Sequence, residues 1–555
     1  MSSRKTYRPR KKADNNLNVT STSGRKKIPG FPESININPT IEINNEFRMA
    51  LDLLQNSSKN VFITGKAGTG KSTLLEYFRQ HTNKNVVVLA PTGVAALNVK
   101  GQTIHSFFKF KPGITLEKVK KIVKNRENNL YQAADTIVID EISMVRADLL
   151  DCVDRFLRLN CVKQRKPFGG KQMVFIGDLY QLPPVIKGKE KEIFKNRYKT
   201  EYFFSAQSFE SLPMEFIELV KIYRQKDEQF IEILNGIRNK TITEEQLETL
   251  NTRCDPYFEP SGEDFYIYLT TLNQLADNLN NQKLHEIDGP ACHIEGIIRG
   301  NFTQKDLPTQ QVISLKTGAQ VMLLNNDPLG RWVNGSVGRV EEILGAEDNN
   351  PELILVELID GSLVDVEPFT WKIFEYKYDE KNKSIKSRTL GSFTQFPLRL
   401  SWAITIHKSQ GKTFQRIILD LQRGAFSPGQ TYVALSRCTT LEGIALRQPI
   451  QKKHVFMDWR VADFLTRFQY EISEEKMPLE DKVNFLQEAI EKQQKLEIIY
   501  LKKSDEKSRR IIEPKYVGEL FYKDIPFLGL EAYCHSRQEY RNFRVDRILE
   551  MKSIK

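Results

Sequence analysis

Gly65, Lys66, Ala67, Gly68, Thr69, Gly70, Lys71 and Ser72, followed by Thr73, fit the spacing G-x-x-x-x-G-K-[ST]. Glycines in such a run let successive backbone N–H groups turn inward around phosphate oxygens. A helix that starts at its end adds the positive end of its dipole. Lys71 is placed to reach the β- and γ-phosphates of a nucleoside triphosphate, and the Ser72 hydroxyl to bind Mg²⁺. A second stretch, "TIVIDEISMV", is an apolar, β-rich run that ends on Asp140 and Glu141. Asp140 suits a metal ion, usually through water, and Glu141 suits orienting or deprotonating the attacking water. Two acids after a strand would ordinarily cap a helix. Behind a phosphate loop, the metal reading takes precedence.

These groups need a sheet that delivers them to one edge. Residues 61–64 read as a buried strand, 72–78 as the helix after the loop, and 136–139 as a second strand. "QMVFIGDLYQLPPV" supplies a third strand at 172–176, which runs into Gly177 and Asp178 and leaves Gln181 just before Pro183 and Pro184. In open α/β sheets, ligands collect at the carboxyl ends of parallel strands. An amide there donates to a phosphate oxygen and accepts from water without adding charge, so Gln181 can report whether a γ-phosphate is present. By itself the same residue would read as a turn glutamine before a proline brake. The fold class that follows is α/β, with parallel sheets flanked by helices.

The chain has 555 residues, and single cores rarely grow beyond about 250–300, so several domains are expected. No apolar run approaches the roughly 20 residues of a membrane span, and no apolar signal core is seen. The six cysteines are dispersed without a C-x-x-C pair, which argues against a zinc site or disulfide framework and for a reducing interior. The formal charge of +12 favours an anionic partner. Part of it lies in residues 1–38, where "SSRKTYRPRKKADNNLNVTSTSGRKK" is basic and nearly free of apolar residues. That tail reads as disordered, either gripping nucleic acid loosely or simply solvated.

The ordered set "GKAGTGKST", "APTGVAALNVKGQTIHSFF", "DEISMV", "GDLYQLPPV", "KIYRQ", "SWAITIHKSQGKTF" and "TYVALSRCTTLEGI" resembles the motifs of the Pif-type (petite integration frequency) DNA helicases, in the RecD-like branch of superfamily 1. "DRFLRLNCVKQRKPFGGKQ" resembles the insert peculiar to that family. The resemblance covers residues 46–443 and implies two RecA-like domains with ATP and Mg²⁺ between them and single-stranded DNA across both. It also implies movement 5′ to 3′ with separation of duplexes. Carried over by position, Gln181 matches the γ-phosphate sensor. Arg224 and Arg437 match two arginines that reach ATP from the second domain, and Gln410 and Gly411 match the segment linking the cleft to the DNA groove. One motif departs: Glu46 is followed by Phe47 where the family commonly has an adenine-reading glutamine. Phe47 can pack near a base but cannot hydrogen-bond to it.

Translocation requires contacts that ignore sequence, namely phosphate hydrogen bonds and rings on which bases stack. Thr92 and Gly93 open a turn after the strand at 86–90. Thr103, His105 and Ser106 are polar groups flanked by Phe107 and Phe108. An isolated histidine before two phenylalanines would more often be core; the resemblance favours DNA contact by His105 and stacking on Phe107. Thr271 and Asn273 match a strand-binding position, with a helix N-cap at Asn273 as the rival. Asn334 and Gly335 match a motif near DNA but also read as a hairpin turn. Thr405, His407 and Lys408, at the end of an expected "LSWAITIHKSQG" helix, complete the track. Residues 110–131 are expected to form a small wedge, and the alternating strands of 337–394 a small β-barrel inserted in the second domain.

The expected domains are 39–215 and 216–470 for the two RecA-like units, a connecting helix at 471–495, and a small β-rich unit at 496–555. The last resembles a WYL domain, with Leu528, Gly529 and Leu530 where the naming tripeptide would stand. There Arg510, Arg537, Arg541 and Arg544 are expected anion contacts, because alternate strand residues share one face. The resemblance implies single-stranded and forked DNA as partners and a nucleic-acid or nucleotide ligand at the WYL-like unit; the lack of a long apolar run implies no membrane. A monomer is expected, with a DNA-dependent dimer as the other assembly, in a bacterial cytoplasm or nucleoid. Two other readings remain open: an ATPase subunit of a nuclease or mobilisation machine, and a nucleic-acid-responsive ATPase governed by its WYL-like end.

Overall fold

The computed structural model describes residues 43–122, 127–186, 194, 196–210, 212–262, 264–345, 351–379, 381–421 and 427–554. The basic tail, and residues 123–126 of the expected wedge, lie outside the described residues.

The first sheet has six parallel strands: β1 (Asn60–Gly65), β2 (Val86–Ala90), β3 (Gln102–Thr103), β4 (Thr136–Ile139), β5 (Gln172–Ile176) and β6 (Met214–Leu219), in the order β3-β2-β4-β5-β1-β6. Its strands read as continuous apolar runs because both faces are covered. Alternate residues separate accordingly. Val61, Ile63, Val88, Val138 and Val174 pack beneath the helices Asn45–Asn56 and Lys71–His81, while Phe62, Val87, Leu89, Ile137 and Phe175 pack on the opposite face with Val153 and Phe156 of the helix Ala147–Asn160. Phe47 is 5% exposed within the first of these cores, edge-on to the Tyr77 ring at 6.0 Å.

The second sheet is also parallel, with β7 (Ile267–Thr270) between Ala403–Thr405 and Ile417–Leu419, and Ile444–Leu446 outermost. This corrects the "LSWAITIHKSQG" helix: Leu400 ends the strand Leu398–Leu400, Ala403, Ile404 and Thr405 pair with Tyr268, Leu269 and Thr270, and 406–411 is a turn. Branched side chains and burial on both faces favour the strand there. The expected boundary at 215/216 also moves. It falls inside β6, which pairs with β1 along its length. The helix Trp459–Lys476 packs against the first domain too: its Phe464 ring stacks on Phe204 at 4.1 Å, and Phe468 lies edge-on to Phe216 at 5.9 Å.

Antiparallel strands extend beyond the expected 337–394. One sheet of five runs Leu363–Val366, Leu353–Leu358, Val337–Leu344, Gln320–Leu323 and Leu398–Leu400. The long hairpin Phe369–Asp379 and Ser384–Gln395 pairs instead with Ile297–Gly300. It reaches the first domain, where the Tyr376 hydroxyl accepts from Val88 N–H at 3.2 Å. Within 110–131, Phe110, Val119, Leu130 and Tyr131 are buried and anchor the segment, while most of 111–121 is exposed.

The C-terminal unit is a five-stranded antiparallel sheet: Glu539–Arg544, Ile525–Cys534, Lys507–Tyr522, Leu496–Leu501 and Ile548–Ser553. The helix Leu479–Glu491 puts Leu486 and Ala489 into that sheet's core with Leu496, Ile512 and Leu530. The expected connector at 471–495 is thus two helices, broken before Pro478, and the second belongs to the C-terminal unit. No helix among the described residues is long and apolar enough to cross a membrane.

Candidate nucleotide and DNA site

The loop after β1 enters the helix Lys71–His81 through Gly70 at φ 85°. Gly68 has φ 79°, and a Cβ built on it would stand 2.5 Å from Arg224 Cβ, so only glycine lets Arg224 lie against the loop. Lys71 Nζ donates to the Gly65 and Lys66 carbonyls at 2.7 and 2.8 Å. The Ala67 N–H donates to the Tyr432 hydroxyl at 3.0 Å, which ties the loop to the helix Gln430–Leu435 of the second domain.

Asp140 and Glu141 follow β4, the first of them 9% exposed. Burial, reinforced by Glu141, pushes the Asp140 carboxyl up to about 7, and burial likewise raises Glu141. Carboxyls raised in this way are stabilised in their charged form by a nearby cation, the effect that Lys71 already has on both. Among the described residues, no group of three or more His, Cys, Asp or Glu forms a metal cage. A Mg²⁺ held by Ser72, Asp140, water and phosphate oxygens needs no such cage, and the donors present fit it.

Gln181 is 8% exposed. Its Nε2 donates to Asp178 Oδ2 at 3.3 Å, and its Oε1 accepts from Gln410 Nε2 at 3.2 Å. Arg224 Nη1 donates to the Ser436 carbonyl at 3.1 Å. Arg437, 1% exposed, donates from Nε to the Val433 carbonyl at 2.9 Å and from Nη2 to Ser436 Oγ at 2.9 Å. Burial, then the neighbouring Arg224 charge, pulls Arg437 down to about 9, so its guanidinium stays charged at neutral pH. Neither makes a carboxylate ion pair among the described residues. Two neighbouring like charges with only neutral partners, Arg437 buried and Arg224 half-buried against the phosphate loop, fit a polyanion lodged between the domains.

The expected DNA residues divide. Thr92 caps the helix Gly93–Asn98, accepting from Ala95 N–H at 3.2 Å, and Thr103 caps Ile104–Phe108, accepting from Ser106 N–H at 3.1 Å. Thr92 and Ser106 are exposed, while Gly93, Thr103 and His105 are half-buried. A Cβ on Gly93 would stand 2.8 Å from Asp306 Oδ1, so the short helix Gln304–Asp306 lies directly over this turn. Phe107 corrects the stacking expectation. It is 3% exposed, with Phe108, Tyr131 and Tyr376 around its ring at 4.8, 5.2 and 6.0 Å. Apolar packing has claimed both phenylalanines.

In the second domain, Asn273 is the first residue of the helix Asn273–Glu286, whose cap is Leu272, so the N-cap rival is not realised. Its Oδ1 instead accepts from Thr405 Oγ1 at 3.4 Å. Thr405 is buried at 3%, Thr271 is half-buried, and His407 and Lys408 are exposed beside it. Asn334 and Gly335 end the loop 324–336 and do not form a two-residue hairpin turn. Asn334 Oδ1 accepts from Lys412 Nζ at 2.7 Å, two residues beyond Gln410.

The four arginines of the C-terminal unit do not share one face. Arg541 and Arg544 lie three residues apart on a regular strand, hence on opposite faces. Arg541 pairs with Glu539, and Arg544 with Asp546 at 2.9 Å. Arg510 is 9% exposed, with Nε on Ser508 Oγ at 3.0 Å, and Arg537 stands in an exposed turn.

Residues 42–248 match the family described as PIF1-like helicase, and residues 481–553 match the WYL domain family. The ATP-dependent DNA helicase Pif1 of Bdellovibrio bacteriovorus is 32% identical over 442 residues, which cover 77% of this chain and 93% of that protein. This chain belongs to the Pif1 helicase family. Among solved structures, Bacteroides sp Pif1 in complex with ADP-AlF4 is similar at 37% identity and TM-score 0.72, covering 78% of this chain and 98% of that one. Bacteroides Pif1 bound to ssDNA aligns over the same shares, at 38% identity and TM-score 0.56. The WYL match starts inside the helix Leu479–Glu491, in keeping with its packing on the C-terminal sheet.

Several residues of the Pif1-like cleft escaped the sequence reading. Tyr432 and Lys412 stand inside quoted motifs, "TYVALSR" and "HKSQGKT", so their positions carried the signal. Arg238 ends an ordinary amphipathic helix, Glu228–Arg238, and nothing local marks it. Yet it is 3% exposed, pairs with Asp178 at 3.5 Å, and lies 3.9 Å over the Tyr180 ring.

Proposed function

We propose that this chain is an ATP-dependent DNA helicase that moves 5′ to 3′ on single-stranded DNA and unwinds duplex or structured DNA in genome maintenance. The observation that carries the reading is Gln181, held at once by Asp178 of its own domain and Gln410 of the other, with Arg224 against the phosphate loop and Arg437 close enough to feel its charge. Lys71 binds the β- and γ-phosphates, Ser72 and Asp140 hold Mg²⁺, and Glu141 orients the attacking water. Arg224 and Arg437 meet the charge that develops on the transferred phosphoryl group. Domain closure around ATP and opening after cleavage alternate the grip of two groups on the strand: Thr92, Gly93, Thr103, His105 and Ser106 on one side, and Thr271, Asn273, Asn334, Gly335, Thr405, His407 and Lys408 on the other. A base-pair step costs about 1.4 kcal/mol, so one ATP-coupled step suffices to melt it.

Strand displacement on duplexes with a 5′ or a 3′ tail, using the wild type and Lys71→Ala, tests this. Unwinding of the 5′-tailed substrate alone, lost in Lys71→Ala, is expected. ATP hydrolysis equally fast with and without single strands, and no displacement from either tail, would overturn it.

A further inference from the structure

The C-terminal unit touches the helicase core at the phosphate-sensing turn. The turn 502–506, which joins Leu496–Leu501 to Lys507–Tyr522, carries Asp505. Asp505 Oδ2 accepts from the Tyr180 hydroxyl at 3.1 Å, and its Oδ1 accepts from Gln469 Nε2 at 2.8 Å. Tyr180 is the residue immediately before Gln181. The Arg238 guanidinium covers its ring and pairs with Asp178. Asp178 Oδ2 accepts from Gln181 Nε2 and from the Tyr432 hydroxyl, each at 3.3 Å. That hydroxyl accepts in turn from the phosphate-loop N–H of Ala67. One continuous set of contacts therefore runs from Asp505 to Gln181 and to the phosphate loop.

Charge binds the same surfaces. Lys507 Nζ meets Glu218 Oε2 at 2.6 Å and lies 5.3 Å over the Phe216 ring, at the end of β6. Burial works to raise Glu218, but Lys507, then Arg238 and Lys66, hold it below the ordinary carboxylate range. Burial pushes Asp505 up to about 6 against the attraction of Arg238. Lys66, Arg238 and Lys507 thus balance Asp178, Glu218 and Asp505, and the C-terminal unit supplies one member of each set.

We propose that Asp505 is a positioning residue for hydrolysis: through the Tyr180 hydroxyl it fixes the Gly177-to-Gln181 turn, so turnover in the core depends on how the C-terminal unit is seated. This rests on the reading of Gln181 as the γ-phosphate sensor. A buried phenol that loses its acceptor must find another or move, and Tyr180 cannot move without its neighbour Gln181. The wrong geometry lowers the rate of phosphoryl transfer while leaving the ATP-binding loop intact.

The test uses the full chain, with Asp505→Ala, Tyr180→Phe, the double variant and Asp505→Asn, and reads ssDNA-stimulated kcat, KM for ATP, ssDNA affinity and Tm. Asp505→Ala and Tyr180→Phe should each lower kcat by about tenfold, with KM and ssDNA affinity within about twofold. The double variant should be no slower than the worse single, because both remove one contact. Asp505→Asn keeps an acceptor oxygen for the phenol and should retain at least about half of kcat; if Asp505→Ala fails to fold, Tyr180→Phe removes the same contact and decides the matter. Wild-type kcat in Asp505→Ala or Tyr180→Phe, a multiplicative double, or a Tm change alone overturns the inference. A wild type indifferent to ssDNA would instead sink the helicase reading beneath it.

Discussion

Gln410 Nε2 donates to Gln181 Oε1 at 3.2 Å, a single amide-to-amide bond between the turn after β5 and the segment after the edge strand of the second sheet. A phosphate oxygen can only accept, so a γ-phosphate must engage Gln181 through Nε2, which Asp178 holds. Engaging ATP therefore exchanges partners on one end of the side chain while the other end stays on the second domain. Gln410→Ala should leave KM for ATP within about threefold and lower ssDNA-stimulated kcat about tenfold, narrowing the ratio of stimulated to basal turnover. An unchanged ratio would show that the bond transmits nothing.

Arg437 is buried, charged and without a carboxylate partner among the described residues, an arrangement that costs stability unless an anion arrives. Arg437→Ala should bind ATP and lose about 10³-fold or more in kcat, the range found for arginine fingers. Arg437→Lys should not restore it, since an ammonium lacks the planar fork that now spans the Val433 carbonyl and Ser436 Oγ. Nucleotide-binding and turnover measurements on both variants check this; near-normal turnover in either contradicts it.

The fold is legible in the sequence where chemistry fixes both residue type and spacing. β1, β4 and β5 stand where the apolar runs before Gly65, Asp140 and Gly177 put them. Where tertiary packing decides, the sequence carries no local mark. The Ala403–Thr405 strand is too short to show a period of its own, and it becomes a strand only because β7 lies beside it. β6 belongs to the first domain through its pairing with β1, which no local pattern announces. Arg238 and Asp505 matter through partners far along the chain, and such pairs leave no mark on either neighbourhood.

Phe107 shows the same effect in a form that can be measured. With its ring enclosed by Phe108, Tyr131 and Tyr376, Phe107→Ala should destabilise the fold by about 3–5 kcal/mol, the usual range for a buried phenylalanine. Below its melting temperature the variant should keep its ssDNA affinity. His105→Ala, at a half-buried position on the same short helix, should do the reverse and weaken ssDNA with little change in Tm. Denaturant unfolding and ssDNA titration on the two variants separate core from track. A fully stable Phe107→Ala with lost DNA binding would restore the stacking role.

Lys412 sets function against stability. Its Nζ donates to Asn334 Oδ1, and burial, then the Arg399 charge, pulls it down to about 8. An unfolded lysine titrates near 10.4, so between about 8 and 10.4 the native state binds fewer protons than the unfolded one. This group's contribution to stability therefore rises with pH through that window, and below it the half-buried ammonium is a standing cost. Lys412→Met should melt a few degrees above the wild type at pH 7 in the absence of DNA and nucleotide, and the gap should shrink as pH rises from 8 to 10. If the ammonium is kept there to meet a phosphate of the strand, the same variant should bind ssDNA more weakly, with a salt dependence shallower by about 0.7. Melting curves at pH 7 and 10, with ssDNA titrations at several salt concentrations, check both halves. A variant that melts lower at pH 7 and binds ssDNA normally would show Lys412 to be a packing residue.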